Sequence, residues 1–358
     1  MTRVGIIGGG FMGSVHARSA RSAGGEVVAV TASSPESAVR AAERLGVPVA
    51  APSVDALLAE GLDVVHVCSP NGAHLEHALA VIGAGVHVVC EKPLATTTED
   101  AARLVQAAEA AGVVATVPFV YRFHPMAREA RDRVKAAGRL HTVQGSYLQD
   151  WLLSDEDDDW RTDSTEGGPS RAFADIGSHL ADLLQFVSGE RIVRLQALTR
   201  TVHPTRRGHP VDTEDAAALV VETESGAIGS LLVSQVAAGH DNDLTIEVSA
   251  TGGSVRFAQE RPDSLWLGGR GESTLLSRGA PQTGEDAARL SIVPGGHPMG
   301  YLDAFAAFVR DTYAAIGGAA PVGLPTFADG LRAARLTDAV VRSAASGEWI
   351  DTREGENA

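Results

Sequence analysis

The sequence predicts an α/β chain of two domains: a doubly wound parallel sheet over residues 1–122, then an α+β domain with a large, mainly antiparallel open sheet over 123–358. Three observations predict it. Up to about residue 120, short Val/Ile-rich runs alternate with alanine-rich amphipathic stretches, the pattern of βαβ units with strands buried on both faces. The first of those runs ends in Gly8-Gly9-Gly10-Phe11-Met12-Gly13. After Pro125 the strands lengthen and alternate apolar with polar residues, as a sheet with one covered face requires.

Taken in order, strands are expected at 2–7, 26–32, 47–50, 63–68, 86–90 and 113–118, with helices near 11–23, 35–45, 53–60, 72–84 and 98–111 between them. The run from Thr96 to Thr98, followed by Glu99, is a helix-start signal, because a hydroxyl and then a carboxylate satisfy the first amide N–H groups. In the second half a helix over 126–137 precedes strands at 139–149, 191–202, 214–223, 227–237, 243–250 and 253–258. Ser225-Gly226 turns a hairpin among them. Helices at 176–187, 299–317 and 326–346 are expected to cover one face of this sheet. The other face needs solvent-tolerant residues or a second copy, so a homodimer or homotetramer packed through the C-terminal sheet is expected. Residues 268–298, rich in Gly, Pro and polar types, read as a long surface loop.

Composition narrows the partners. A chain of 358 residues suits two cored domains of ~150 residues each. Its net charge of −15, with no compensating basic stripe, repels phosphate backbones and acidic lipid, so nucleic acid and membranes are not expected partners. Glycines interrupt the first apolar run too early for a signal-peptide core, and a cytoplasmic protein is expected. The two cysteines, Cys68 and Cys90, each end an apolar run and read as reduced core residues.

The glycine string fits GxGxxG, directly after a strand and opening a helix. Such a turn lets the backbone approach a pyrophosphate at the positive helix end, so Gly8, Gly10, Phe11, Met12 and Gly13 are candidate contacts in a Rossmann dinucleotide-binding domain. An acidic residue ending the second strand would hold the ribose 2′-hydroxyl of NAD and repel the extra phosphate of NADP. The run here is Val30-Thr31-Ala32-Ser33-Ser34-Pro35. Ser33 and Ser34 can bind a hydroxyl or a phosphate and Arg40 follows a turn later, so the expected cofactor is NAD(P), with dual use or a slight lean to NADP. After the fourth strand, Ser69, Pro70, Asn71 and His74 are placed to line the cofactor crevice. His74 and His77 lack a third ligand at usable spacing, and no metal is expected.

Glu91-Lys92-Pro93 closes the fifth strand. An ammonium at that sheet edge, near a nicotinamide, stabilises a developing alkoxide and relays a proton. On this EKP string, and on Asp175-Ile176-Gly177-Ser178-His179, which matches a DxGxH helix start, the chain resembles the glucose-fructose oxidoreductase, inositol dehydrogenase and rhizopine catabolism family (Gfo/Idh/MocA). The resemblance implies that Lys92, Asp175 and His179 are catalytic, with His179 the general base and Asp175 binding substrate or orienting the base. It implies cofactor contacts from Glu91 and Lys92, and substrate contacts from Lys92, Asp175 and His179. Tyr121-Arg122-Phe123-His124-Pro125 resembles the segment that links the family's domains, with Val120 where an asparagine is common, and Tyr121 and Arg122 are expected to face the site. Tyr147-Leu148-Gln149-Asp150-Trp151 and Trp160-Arg161 resemble the family's sugar-handling branch, near levoglucosan dehydrogenase, which adds Trp160 and Arg161 as substrate contacts. The acidic run 155–159 between the tryptophans reads as a solvated loop or a lid repelling anions, and His297 is a further candidate.

The activity this implies is NAD(P)-dependent oxidation of a secondary hydroxyl on a sugar, anhydrosugar or cyclic polyol. Lys92 and His179 are expected to converge on one carbinol. A glycosidase that uses NAD for transient oxidation and a cofactor-binding regulator without chemistry are the alternatives.

Overall fold

A computed structural model describes residues Met1–Arg353. The described chain forms two compact units, Met1–Val120 with Tyr301–Ala334, and Tyr121–Gly300 with Arg335–Arg353.

In the first unit, β1 (Arg3–Ile7), β2 (Glu26–Thr31), β3 (Val49–Ala50), β4 (Val64–Val67), β5 (His87–Cys90) and β6 (Ala115–Thr116) form one parallel sheet in the order β3-β2-β1-β4-β5-β6. That is the doubly wound order whose switch point lies between β1 and β4. The intervening helices are α1 (Phe11–Ser22), α2 (Pro35–Leu45), α3 (Val54–Leu58), α4 (His74–Gly83) and α5 (Thr98–Ala111). Ser34, Ser53 and Thr97 each accept the N–H three residues on, which starts α2, α3 and α5 where short polar side chains replace apolar ones. Val65, Val67 and Val88 bury one face of the sheet against Leu57, Val81, Ile82 and Leu104.

The second unit opens with α6 (Pro125–Ala136) and β7 (Leu140–Leu148), passes a short helix α7 (Ser164–Gly167), and continues through α8 (Ser178–Ser188). Then follow β8 (Ile192–Arg200), the ribbon β9 (Thr205–Arg206) and β10 (His209–Pro210), β11 (Ala216–Thr223), β12 (Ile228–Ser234), β13 (Asp243–Ala250), β14 (Gly253–Ala258), β15 (Ser264–Gly268) and β16 (Ser273–Ser277). β9 and β10 pair only with each other, while β7, β8, β11 to β16 and β17 (Ile350–Asp351) make a nine-stranded sheet, β16-β15-β14-β13-β7-β12-β11-β8-β17, antiparallel except where β7 meets β12. Leu219, Val221, Leu231, Val233, Leu244 and Ile246 point to the covered face, which α8 packs against. On the opposite face Leu198, Ile228, Val220 and Leu232 are 73%, 59%, 48% and 46% exposed.

The stretch expected to be a bare loop at 268–298 is structured: it holds β16 and α9 (Glu285–Leu290), with Leu276, Ala287 and Leu290 buried. Its glycines and polar residues hid the few apolar anchors. Buried Arg278 supplies the rest by donating to the carbonyls of Val293 and His297.

Two long helices precede β17, α10 (Tyr301–Ile316) and α11 (Phe327–Ser346). Sequence reading assigns both to the second sheet, yet α10 and the start of α11 belong to the first unit. Phe305 meets the His16 ring of α1 edge-on at 4.7 Å, the Tyr313 hydroxyl lies 3.1 Å from His66 Nε2, and Thr326 bridges to Thr116. The crossing at Val120–Tyr121 lies close to the expected boundary at 122, but a contiguous division misses this return. An amphipathic face states that a helix is covered and not which sheet covers it.

Candidate active site

In the first unit the turn after β1 is shaped by what its glycines leave out. Gly8 has φ +104°, and a Cβ there would stand 2.5 Å from the Cys68 carbonyl oxygen. A Cβ on Gly13 would stand 2.1 Å from the Gly8 carbonyl oxygen, so α1 packs directly on the turn. Gly10 differs, because nothing of the chain lies within 4 Å of its missing Cβ. It opens α1 without a side-chain cap, which leaves the helix N-terminus to an outside acceptor. Phe11 is 77% exposed, and Met12 and Gly13 complete the first turn. These features fit a dinucleotide pyrophosphate.

At the end of β2 no carboxylate appears. Ser33 is exposed, while Ser34 caps α2 and its hydroxyl lies 3.1 Å from that of Ser37, to which Arg40 donates. Arg44, one turn beyond Arg40, donates to the Gly9 carbonyl.

The Glu91-Lys92 peptide is held from beneath. Glu91 Oε2 accepts the Lys92 N–H at 3.1 Å and Oε1 lies 2.9 Å from His16 Nε2. His16 Nδ1 is 2.8 Å from His66 Nδ1, and His66 Nε2 meets Tyr313. One arrangement of hydrogens serves every contact with neutral rings: Tyr313 O–H donates to His66, His66 to His16, and His16 to Glu91. Burial, with the neighbouring His16, holds His66 well below the ordinary imidazole range, and burial holds the Tyr313 hydroxyl above the ordinary phenol range. Both shifts keep His66 and Tyr313 uncharged. Neither the histidines nor Tyr313 stood out in the sequence, because their meeting requires β4, α1 and α10 together.

His74 and Ser69 differ from expectation. His74 is fully buried, with Nδ1 2.7 Å from the Pro93 carbonyl oxygen and Nε2 2.9 Å from that of Ser69. Its ring clamps the Lys92-Pro93 turn to the loop after β4, with both nitrogens directed at backbone. The Ser69 hydroxyl meets His77 Nδ1 at 2.9 Å, Asn71 is buried, and Pro70 is exposed. Among the described residues no group of three or more His, Cys, Asp or Glu side chains could hold a metal ion. Cys90 is buried and Cys68 partly so, and burial raises both thiols well above their ordinary range.

In the second unit, Asp175 and His179 enter α8 through a π-helical turn, Phe173–Gly177. The Glu214 carboxylate starts it by accepting the N–H groups of Arg171 and Phe173 and the Ser170 hydroxyl. Gly177 is required because a Cβ would lie 2.4 Å from the Phe173 ring. The His179 ring meets Tyr121 edge-on at 5.0 Å. From Tyr121 a polar wall runs through Tyr147 (2.6 Å), Asn242 (2.6 Å), Gln149 (2.8 Å) and Trp151 Nε1 (2.8 Å). Burial raises the Tyr121 hydroxyl above its ordinary range, which keeps its proton on. On the other side Asp175 Oδ2 accepts from Gln235 Nε2 at 2.9 Å, and Oδ1 lies 3.7 Å from Arg161 Nε. Arg161 stacks over Trp160 at 4.3 Å and bonds Asp159.

The expected set is therefore brought together for Tyr121, Trp160, Arg161, Asp175 and His179, and not for Arg122. That guanidinium is buried, donates from Nε and Nη2 to both Asp182 carboxylate oxygens, and stacks on Phe186. A bidentate pair of this kind fixes the domain interior. His297 is exposed, and its backbone carbonyl holds Arg278. Asn242 and Gln235 carried no local signal, lying beyond strand ends whose register only the sheet determines.

Residues 2–119 match the GFO/IDH/MocA oxidoreductase family with its NAD-binding Rossmann fold, and residues 127–256 match that family's C-terminal domain. Levoglucosan dehydrogenase of Pseudarthrobacter phenanthrenivorans is 31% identical over 386 residues, covering 97% of both chains. A solved structure of levoglucosan dehydrogenase in complex with NADH and levoglucosan superposes with TM-score 0.91 at 30% identity, over 98% of this chain and 99% of that one. An inositol dehydrogenase homologue complexed with NAD+, from Azotobacter vinelandii, gives TM-score 0.88 at 28% identity over 98% and 97%.

Proposed function

Because the chain belongs to the GFO/IDH/MocA oxidoreductases, we propose that it oxidises a secondary hydroxyl of a sugar, anhydrosugar or cyclic polyol with NAD(P). The observation that carries the reading is the wall around His179: phenol, amide, indole and guanidinium groups over Tyr121, Tyr147, Gln149, Trp151, Trp160, Arg161 and Asn242. Fixed donors and acceptors mixed with aromatic faces are what a ring bearing many hydroxyls needs. Relatives that act on levoglucosan and inositol support the same substrate class.

NAD(P), when bound, supplies the hydride acceptor. His179 takes the hydroxyl proton, and its imidazole suits that removal near neutral pH. Asp175 accepts a hydrogen bond from the substrate or from His179 and orients it. Lys92 stabilises the oxygen as it gains charge. With no acid at the end of β2, and with Ser33, Ser34, Ser37 and Arg40 there, both cofactors are accommodated, with a lean to NADP. The exposed Leu198, Val220, Ile228 and Leu232 favour a homodimer or homotetramer through the outer face of the large sheet, which light scattering of wild type and Leu232→Asp tests.

A spectrophotometric screen of inositols, aldoses, anhydrosugars and glycosides against both cofactors tests the activity. Cofactor reduction with a sugar or polyol is expected. Cofactor binding without turnover of any of them overturns it in favour of a regulator, and release of reducing sugar without net reduction points to the glycosidase.

A further inference from the structure

Gln235 is wholly buried directly after β12, and each end of its side chain has a partner. Oε1 lies 3.3 Å from Arg171 Nη1 and Nε2 lies 2.9 Å from Asp175 Oδ2. A guanidinium has no acceptor, so the amide oxygen must face Arg171 and the amide nitrogen must donate to Asp175. Its backbone is pinned too, donating to the Asp215 carbonyl at 3.0 Å and accepting from Leu152 N at 3.2 Å.

Arg171 is itself fixed. Its Nη2 donates to Asp215 Oδ1, which also accepts from Arg206 Nη2 at 2.7 Å, and all three side chains are fully buried. Asp215 Oδ2 accepts the backbone N–H groups of Val202 and His203. From Nη1 and Nη2 Arg206 also donates to the carbonyls of Leu152, Ser154 and Asp157, at the base of the loop that leads to Trp160 and Arg161. The acidic run is thus strapped down through its backbone while Asp155, Glu156 and Asp158 stay exposed.

We infer that Gln235 is a positioning residue for substrate binding: aligned by the Arg171–Asp215–Arg206 cluster, it holds Asp175 as a hydrogen-bond acceptor in register with the 152–161 loop. The inference rests on the role proposed above for Asp175. A neutral amide suits the place, since it hands Asp175 a donor without adding a charge between Arg171 and the carboxylate.

Steady-state kinetics on the full chain test it, using the best-turned-over sugar of the screen, with NAD(P) affinity from nicotinamide fluorescence and folding from thermal melts. Gln235→Met keeps length and removes both bonds, and Gln235→Glu keeps the shape but opposes Asp175 with a carboxylate. For both, sugar kcat/KM should fall about tenfold to a hundredfold, the loss of one or two hydrogen bonds to charged groups, with cofactor affinity within about twofold. The fall should be larger for Gln235→Glu. Sugar constants unchanged in both variants, or cofactor affinity falling in parallel, overturn the inference. Asp175→Asn separates the two claims: if it leaves sugar turnover unchanged, the reading of Asp175 fails, whereas an impaired Asp175→Asn beside unimpaired Gln235 variants rejects only the positioning role.

Discussion

The two units support their candidate catalytic groups with opposite chemistry. Beneath Lys92 lies a string of phenol and imidazole rings, Tyr313–His66–His16, that ends on the Glu91 carboxylate. Beneath Asp175 lies a neutral amide backed by two buried guanidiniums around one carboxylate. The first depends on tautomers and is open to protonation; the second depends on ion pairing and is brittle to the loss of one partner. One unit anchors the backbone of its motif lysine through a string of rings, and the other anchors a carboxylate side chain through buried ion pairs.

The strongest test removes the supported groups themselves. Lys92→Ala and His179→Ala should each lower kcat by about 10²–10⁴, the usual span for a proton-handling group, with cofactor affinity little changed in fluorescence titration. A variant with wild-type kcat would leave its unit without chemistry and dissolve half of the contrast. Next, Asp215→Asn should cost about 3–5 kcal/mol in denaturant unfolding, because two buried guanidiniums lose their counter-charge. A loss below ~1 kcal/mol would show that the cluster is no more brittle than an exposed pair. His66→Leu should cost less, about 1–3 kcal/mol, by stranding the Tyr313 hydroxyl and His16 Nδ1 in the interior.

Acid should separate the regions as well. The His66 pKa is lowered in the fold by burial, so below the ordinary value of 6.5 the unfolded chain binds a proton that the folded one refuses. Stability is therefore complete above that value and declines as pH falls beneath it, by up to ~1.4 kcal/mol per pH unit. Asp215 behaves otherwise: burial pushes its carboxyl up, but Arg171, the His203 N–H and Arg206 outweigh burial and leave it below the usual carboxylate range. Its contribution is present above 3.8 and is lost only as pH falls through the lower folded value. Between pH 6.5 and 4 the acid limb of unfolding should therefore shrink in His66→Leu and persist in Asp215→Asn.

Much of this is legible in the sequence. The period-two and period-3.6 patterns locate the six parallel strands and their helices, and GxGxxG, EKP and DxGxH locate the motif residues, since each is a local string at a strand end or helix start. What escaped depends on partners far along the chain. Arg122 resembled a site residue until Asp182 claimed it, His74 turned to two carbonyls, and Asp215 and Gln235 acquired meaning only through strand register. The π-helical turn was equally invisible, being imposed by Glu214 from another segment.

The return of α10 to the first unit bears on how the protein is made. Translation completes β6 at Thr116, yet Phe305 and Tyr313, which cover His16 and His66, are added only after every strand of the second sheet but β17 has been synthesised. A nascent parallel sheet must wait at the ribosome with two polar rings uncovered, and a truncated chain ending at 122 should associate or be degraded rather than persist as a free nucleotide-binding module.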